Sequence, residues 1–291
     1  MPFLEVNGTL LHYHITGKGI PLVLIHPSLL SAQVFNYQKA QLSDSFQVIT
    51  FDIRGHGESL PSRRKLTYPL IAEDIRQLLD ALDIRKAYLC GYSVGASIVL
   101  EALLAYPDRF LGGIIVSGTS EITDRLNKSL LWMSTKLSSL SPLRNVLASA
   151  ISLGNADMPL TYRNLRRSSL HGDPDNIREY FEYSLHYNCT QRLHAIRHPI
   201  LLIYGQKNTN FHPYAHILHD HLPNSSLYFI KGARHQLPTK NARRMNELLR
   251  LWVNSLENQD LKRTDLDLQI AQQLNPEQYM KNEEGEGLSA R

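Results

Sequence analysis

The chain of 291 residues is 43% hydrophobic and 20% charged with a formal net charge of +4, a balance that fits a folded globular protein and excludes disordered and fibrous classes. Its basic residues fall in short clusters such as Arg63-Arg64-Lys65, Arg166-Arg167 and Arg243-Arg244, without a long or aromatic-interleaved basic stripe, so no nucleic-acid partner is indicated. With two cysteines, Cys90 and Cys189, no signal-peptide pattern and no run of the roughly 18 apolar residues a span needs, a disulfide framework and a membrane span are excluded and a cytoplasmic location is expected.

In chain order, "FLEVNGTLLHYHITG" centres on Asn7-Gly8, a strong hairpin signal that predicts two antiparallel strands at the start of the sheet. Short apolar runs then recur at "PLVLIH", "QVITFD", "KAYLCGYS", "LGGIIVSG", "PILLIYG" and "SSLYFIKG". Helical patterns such as "YPLIAEDIRQLLDALDI" and "VGASIVLEALLAY" separate most of them, the alternation of parallel strands with crossover helices. The expected fold class is α/β, a mostly parallel eight-stranded sheet flanked by helices.

Over residues 120–197 the alternation breaks, and "NKSLLWMSTKLSSL", "SPLRNVLASAISLG" and "DPDNIREYFEYSLHYN" read as helices. We expect a core of residues 1–119 and 198–256 carrying a helical cap at 120–197. "TKNARRMNELLRLWVNSL" predicts an amphipathic helix on the sheet, and residues 257–291 read as a polar tail, a short helix at most and then disorder.

Within "LCGYSVGASIVLEALLAYP", Ser93 stands between Gly91 and Gly95 where a strand pattern gives way to a helical one. A nucleophilic serine needs a sharp turn that exposes its hydroxyl, glycines that let strand and helix approach closely, and helix N-terminal amides to receive a developing oxyanion. The hydroxyl also needs a base. Of 13 histidines, His235 lies in "FIKGARHQLPTKNA", after the last strand, where a parallel sheet gathers catalytic groups at its carboxyl edge.

These pieces, with "LVLIHPSLLS" and "FDIRGHGES", resemble the α/β-hydrolase family up to about residue 256. The resemblance implies Ser93 as nucleophile, His235 as general base and the amides of Val94 and Ser28 as oxyanion hole. By the same resemblance Asp52, Arg54, Gly55, His56 and Gly57 are structural. Two features depart from the family pattern. Pro27 follows His26 in the oxyanion loop, where the family has glycine, which removes one N–H and restricts the backbone. Asn208 occupies the usual position of the triad acid, in "LLIYGQKNTNFHP", and there is no Asp or Glu between Glu182 and Asp220. The equivalent Asp-to-Asn change costs a serine protease about 10⁴ in kcat. Either asparagine serves without the charge, or the acid is relocated to "TSEITDR" after the sixth strand, where Glu121 is preferred over Asp124. Acids there can equally cap a helix.

"HPYAHILHDHL" spaces His212, His216 and His219 along one helical face, but without a glutamate motif or nearby cysteine it reads as a surface helix rather than a metal site. Cys90 reads as buried filler. No dinucleotide or phosphate-loop fingerprint is present, so no cofactor is implied. The expected function is serine hydrolysis of a small carboxylic ester, lactone or related acyl compound through a Ser93 acyl-enzyme, with Trp132, Met133, Leu137, Tyr180 and Phe181 either shaping the acyl pocket or forming the cap's own core, the commoner fate of such a stripe. The alternatives are a ligand-binding or signalling protein with weak turnover, motivated by Asn208, and acyl transfer to peroxide or another nucleophile. The only partner indicated is a small acyl substrate, and the sequence carries no sign of oligomeric state.

Overall fold

Asn7 and Gly8, at φ 50° and 74°, both take left-handed backbone, the geometry of a two-residue hairpin turn. They join β1 (Phe3–Val6) to β2 (Thr9–Thr16). The computed structural model describes residues 2–257; the expected tail therefore lies outside the described residues except for Glu257. Six further strands follow: β3 (Ile20–Ile25), β4 (Phe46–Phe51), β5 (Ala87–Tyr92), β6 (Phe110–Val116), β7 (Ile200–Gly205) and β8 (Ser225–Ile230). They form one sheet in the order β1-β2-β4-β3-β5-β6-β7-β8. β2 is antiparallel to its neighbours, and all pairings from β4 to β8 are parallel.

The central strands read as continuous apolar runs because both faces are covered. Their side chains nevertheless divide with period two: Val23, Ile25, Leu202 and Tyr204 enter one buried cluster and Leu22, Leu24, Leu201 and Ile203 the other. The first cluster packs against α2 (Tyr68–Ala81), α3 (Val94–Ala105) and α8 (His212–His221). The second packs against α1 (Asn36–Leu42) and α10 (Ala242–Glu257), which lies beyond the short α9 (Leu237–Lys240). α10 buries Met245, Leu248, Leu249, Trp252 and Val253, the spacing of one helical face.

Between β6 and β7 the chain forms α4 (Arg125–Ser138), α5 (Ser141–Asn155), α6 (Pro159–His171) and α7 (Pro174–His186). α4 and α7 start at aspartate caps: Asp124 accepts the Asn127 N–H and Asp173 the Asn176 N–H, both at 2.9 Å. α6 buries Leu165, Ser168 and Ser169. A bridge between Glu121 and Asn188 draws the two ends of the insertion together. A third apolar cluster of Leu29, Leu147, Ala148, Ile177 and Phe181 seats the insertion on the loop after β3. Tyr180 Oη also donates to the His26 carbonyl at 3.0 Å. Among the described residues no helix is long and apolar enough to cross a membrane.

Candidate active site

Ser93 sits where β5 turns into α3, at φ 54° and ψ −125°, a sparsely populated conformation that the surroundings must hold. Its N–H donates to Val116 O at 2.9 Å, tying the turn to the neighbouring strand. The flanking glycines are needed sterically: a Cβ at Gly91 would meet Gly95 O at 2.4 Å, and one at Gly95 would meet Ile25 O at 2.5 Å. That close approach presses the start of α3 against the end of β3. Val94 opens the helix, so its N–H has no intrahelical acceptor and lies at the positive end of the helix dipole.

The loop carrying Ser28 is braced from several sides. His26 Nδ1–H donates to Pro27 O and His26 Nε2 accepts the Ile53 N–H, both at 2.9 Å, so these bonds fix one neutral tautomer. Leu29 is held at φ 69°. Asp52, at the end of β4, accepts the Ala32 N–H at 2.8 Å, the Glu58 N–H at 3.0 Å and His12 Nδ1–H at 2.8 Å. A Cβ at Gly57 (φ +51) would lie 2.4 Å from Asp52 Oδ2, and Arg54 is buried against Asp74. In the structure, then, residues 52–57 bind each other and the loop that carries Ser28.

His235 lies in the loop after β8, and its Nε2 is 3.1 Å from Ser93 Oγ. Ser117, at φ 49° just past β6, donates its hydroxyl to the His235 carbonyl at 3.1 Å. A Cβ at Gly205 would be 2.3 Å from Arg234 O, so the end of β7 and the histidine loop are in contact. The imidazole packs against Phe211 at 4.5 Å and Tyr92 at 5.5 Å between ring centroids. This removal from water disfavours the imidazolium and pushes the His235 pKa down to about 4.

Asn208 Nδ2 lies 3.0 Å from His235 Nδ1. In this orientation the amide donates to Nδ1 and the ring proton sits on Nε2, whereas a half-turn of the amide that presents Oδ1 accepts Nδ1–H and leaves the Nε2 lone pair free for the Ser93 proton. Among the described residues, Ser93 and Asn208 are the hydrogen-bond partners of the His235 ring nitrogens. Of the two alternatives for the acid, neither Glu121 nor Asp124 bonds the ring in the structure. The Glu121 carboxylate instead accepts Thr190 Oγ1–H at 2.7 Å and an Asn188 Nδ2–H at 2.9 Å, an arrangement that closes the base of the insertion. Asp124, the weaker candidate, caps α4 and accepts the Tyr214 hydroxyl.

A cavity of about 600 Å³ extends from Ser93, Val94, Asn208 and His235 into the insertion. Leu131, Leu147, Ile151 and Phe211 line it with the expected Met133, Leu137 and Phe181. Two expected wall residues are elsewhere: Tyr180 is fully buried beneath the insertion, and Trp132 is 57% exposed on the far side of α4. Leu147 and Ile151 stand one turn apart on α5, but periodicity alone does not say which stripe of α4 or α5 faces the site. His212 Nε2 and His219 Nδ1 bond Gly205 O and Ser225 Oγ; no group of three or more His, Cys, Asp or Glu among the described residues could hold a metal. Cys90 is buried, which pushes its thiol pKa well up.

A family model described as alpha/beta hydrolase fold matches residues 20–239. Over 154 residues the chain is 30% identical to the zearalenone hydrolase of Bionectria ochroleuca, a segment covering 51% of this chain but only 58% of that enzyme. It is 27% identical over 254 residues to the serine hydrolase BPHL of Homo sapiens, covering 84% of this chain and 83% of the relative. An esterase structure from Exiguobacterium antarcticum superposes with a TM-score of 0.79 at 20% identity, over 87% of this chain and 99% of the other, a likeness of fold.

Proposed function

This chain belongs to the α/β-hydrolase fold family, and we propose that it hydrolyses a small carboxylic ester, lactone or related acyl compound through a Ser93 acyl-enzyme. The observation that carries the reading is the 3.1 Å approach of Ser93 Oγ to His235 Nε2 at the inner end of an apolar cavity. Similarity over most of the chain to a protein named a serine hydrolase supports it.

His235 Nε2 takes the Ser93 proton as Oγ attacks the carbonyl, and the N–H groups of Val94 and Ser28 receive the negative charge on the carbonyl oxygen. The imidazolium then protonates the leaving group, which departs to give the acyl-enzyme. A water deprotonated by the same nitrogen attacks the acyl carbon; collapse of that intermediate returns the proton to Ser93 and releases the acid. With its amide turned so that Oδ1 faces the ring, Asn208 holds the Nδ1–H tautomer but supplies no charge to stabilise the imidazolium, so turnover is slower than in a carboxylate triad. Asn208 also favours the second reading, a protein that keeps the pocket for binding and turns over weakly. The buried free Cys90 and Cys189 suit a reducing, cytoplasmic setting.

The test is a p-nitrophenyl ester series from acetate to octanoate with wild type and Ser93→Ala. Turnover with a burst that Ser93→Ala abolishes supports the acyl-enzyme; hydrolysis equal in both proteins removes the nucleophile and favours the binding reading.

A further inference from the structure

The far end of the active-site cavity opens on an apolar rim. Leu126, Leu130, Met133 and Val146 line the cavity, yet each is 46–65% exposed; a residue that does both stands at a mouth. The apolar surface continues along α5 beyond the cavity, where Leu143 is 39% and Leu153 66% exposed. Isolated exposed leucines are ordinary, whereas a run of them along adjacent helices marks an interaction surface.

Charge indicates what this surface meets. Residues 125–171, which contain α4 to α6, carry seven Lys and Arg against one acid, Asp157. The rest of the chain is therefore at −2, although the whole is +4. Arg125, Lys128, Lys136, Arg163 and Arg167 are exposed. Helices that present leucine amid lysine and arginine gain from both apolar burial and attraction to anionic headgroups. A partner protein core would favour fewer charges.

We propose that the α4–α6 surface docks on an anionic lipid surface, with the cavity mouth between α4 and α5 facing the bilayer. Docking in that pose lets an acyl chain pass from the membrane along the leucine-lined mouth toward Ser93; this delivery step rests on the Ser93 reading, while the docking itself does not.

The experiment is co-sedimentation of the full chain with vesicles of phosphatidylcholine alone or with about 30% phosphatidylglycerol, at low and high salt, read without turnover so that its outcome is independent of Ser93 chemistry. The expected result is pelleting with anionic vesicles that falls at least about tenfold at 0.5 M salt, where exposed charges are screened. Leu153→Asp and, separately, Arg163→Glu with Arg167→Glu each lower partition at least about tenfold, with unchanged circular dichroism showing that both variants are folded. Equal binding to neutral and anionic vesicles, or partition indifferent to both variants, overturns the proposal. So does a dimer in sedimentation equilibrium that Leu153→Asp splits and that ignores vesicles, which would make the face a contact between copies.

Discussion

The Asn208 amide meets His235 Nδ1 at 3.0 Å, on the ring edge opposite the nitrogen that faces Ser93. A neutral amide can orient the ring, but it cannot offset the positive charge that the ring acquires during attack.

Asn208→Asp should therefore raise kcat/KM on a p-nitrophenyl ester by about 10²- to 10⁴-fold. Asn208→Leu, which cannot accept Nδ1–H, should lower it below wild type. Steady-state kinetics on the three proteins decide the matter; an aspartate variant no faster than wild type would show that the ring is oriented by something else.

The pH profile should show the same relationship. Neutral His235 is the base, so activity is present above its pKa and disappears as pH falls through about 4. Asn208→Asp adds a neighbouring negative charge that favours the imidazolium, moving the acid limb upward. Initial rates between pH 3.5 and 8 test this; a wild-type limb near 6.5, unmoved in Asn208→Asp, contradicts it.

Acid should also weaken the fold through buried histidines. Burial pushes His26 down and His56 down to about 3, so protons bind the unfolded chain first. Their contribution is fully present above about pH 6.5 and is lost as pH falls toward the folded-state values. Protonating His26 would also replace the acceptor of the Ile53 N–H with a second donor. Thermal unfolding followed from pH 7.5 to 4.5 should give a falling Tm; a flat Tm across that window rules the effect out.

Gly95→Ala should damage both stability and activity. Its Cβ would lie 2.5 Å from Ile25 O and 2.9 Å from His26 O, backbone atoms that cannot swing aside. We expect a loss of about 1–3 kcal/mol and a larger fractional loss of kcat than of KM, because α3 would shift away from the oxyanion loop. Chemical denaturation and kinetics measured together test it, and a variant with wild-type kcat argues against Val94 as an oxyanion donor.

The sheet and the serine turn are legible because their signals are local: short continuous apolar runs at β3 and β7, the Asn7-Gly8 turn, and two glycines around Ser93 whose need follows from backbone crowding. His235 is legible from its place after the last strand, and Asn208 from the absence of any acid near it. Residue identity therefore determined the strand order's raw material, the turn that exposes Ser93 and the asparagine at the usual position of the acid. Side-chain partnership across long sequence separations was decided only by folding. Glu121 is claimed by Thr190, 69 residues away, and Asp124 by Tyr214, 90 away. The face of α4 that enters the cavity depends on where α5 and α7 pack, which puts Leu126 and Met133 at the site and leaves Trp132 outside it. Helical periodicity supplies the stripes, whereas the choice among them belongs to the burial that the neighbouring helices make possible.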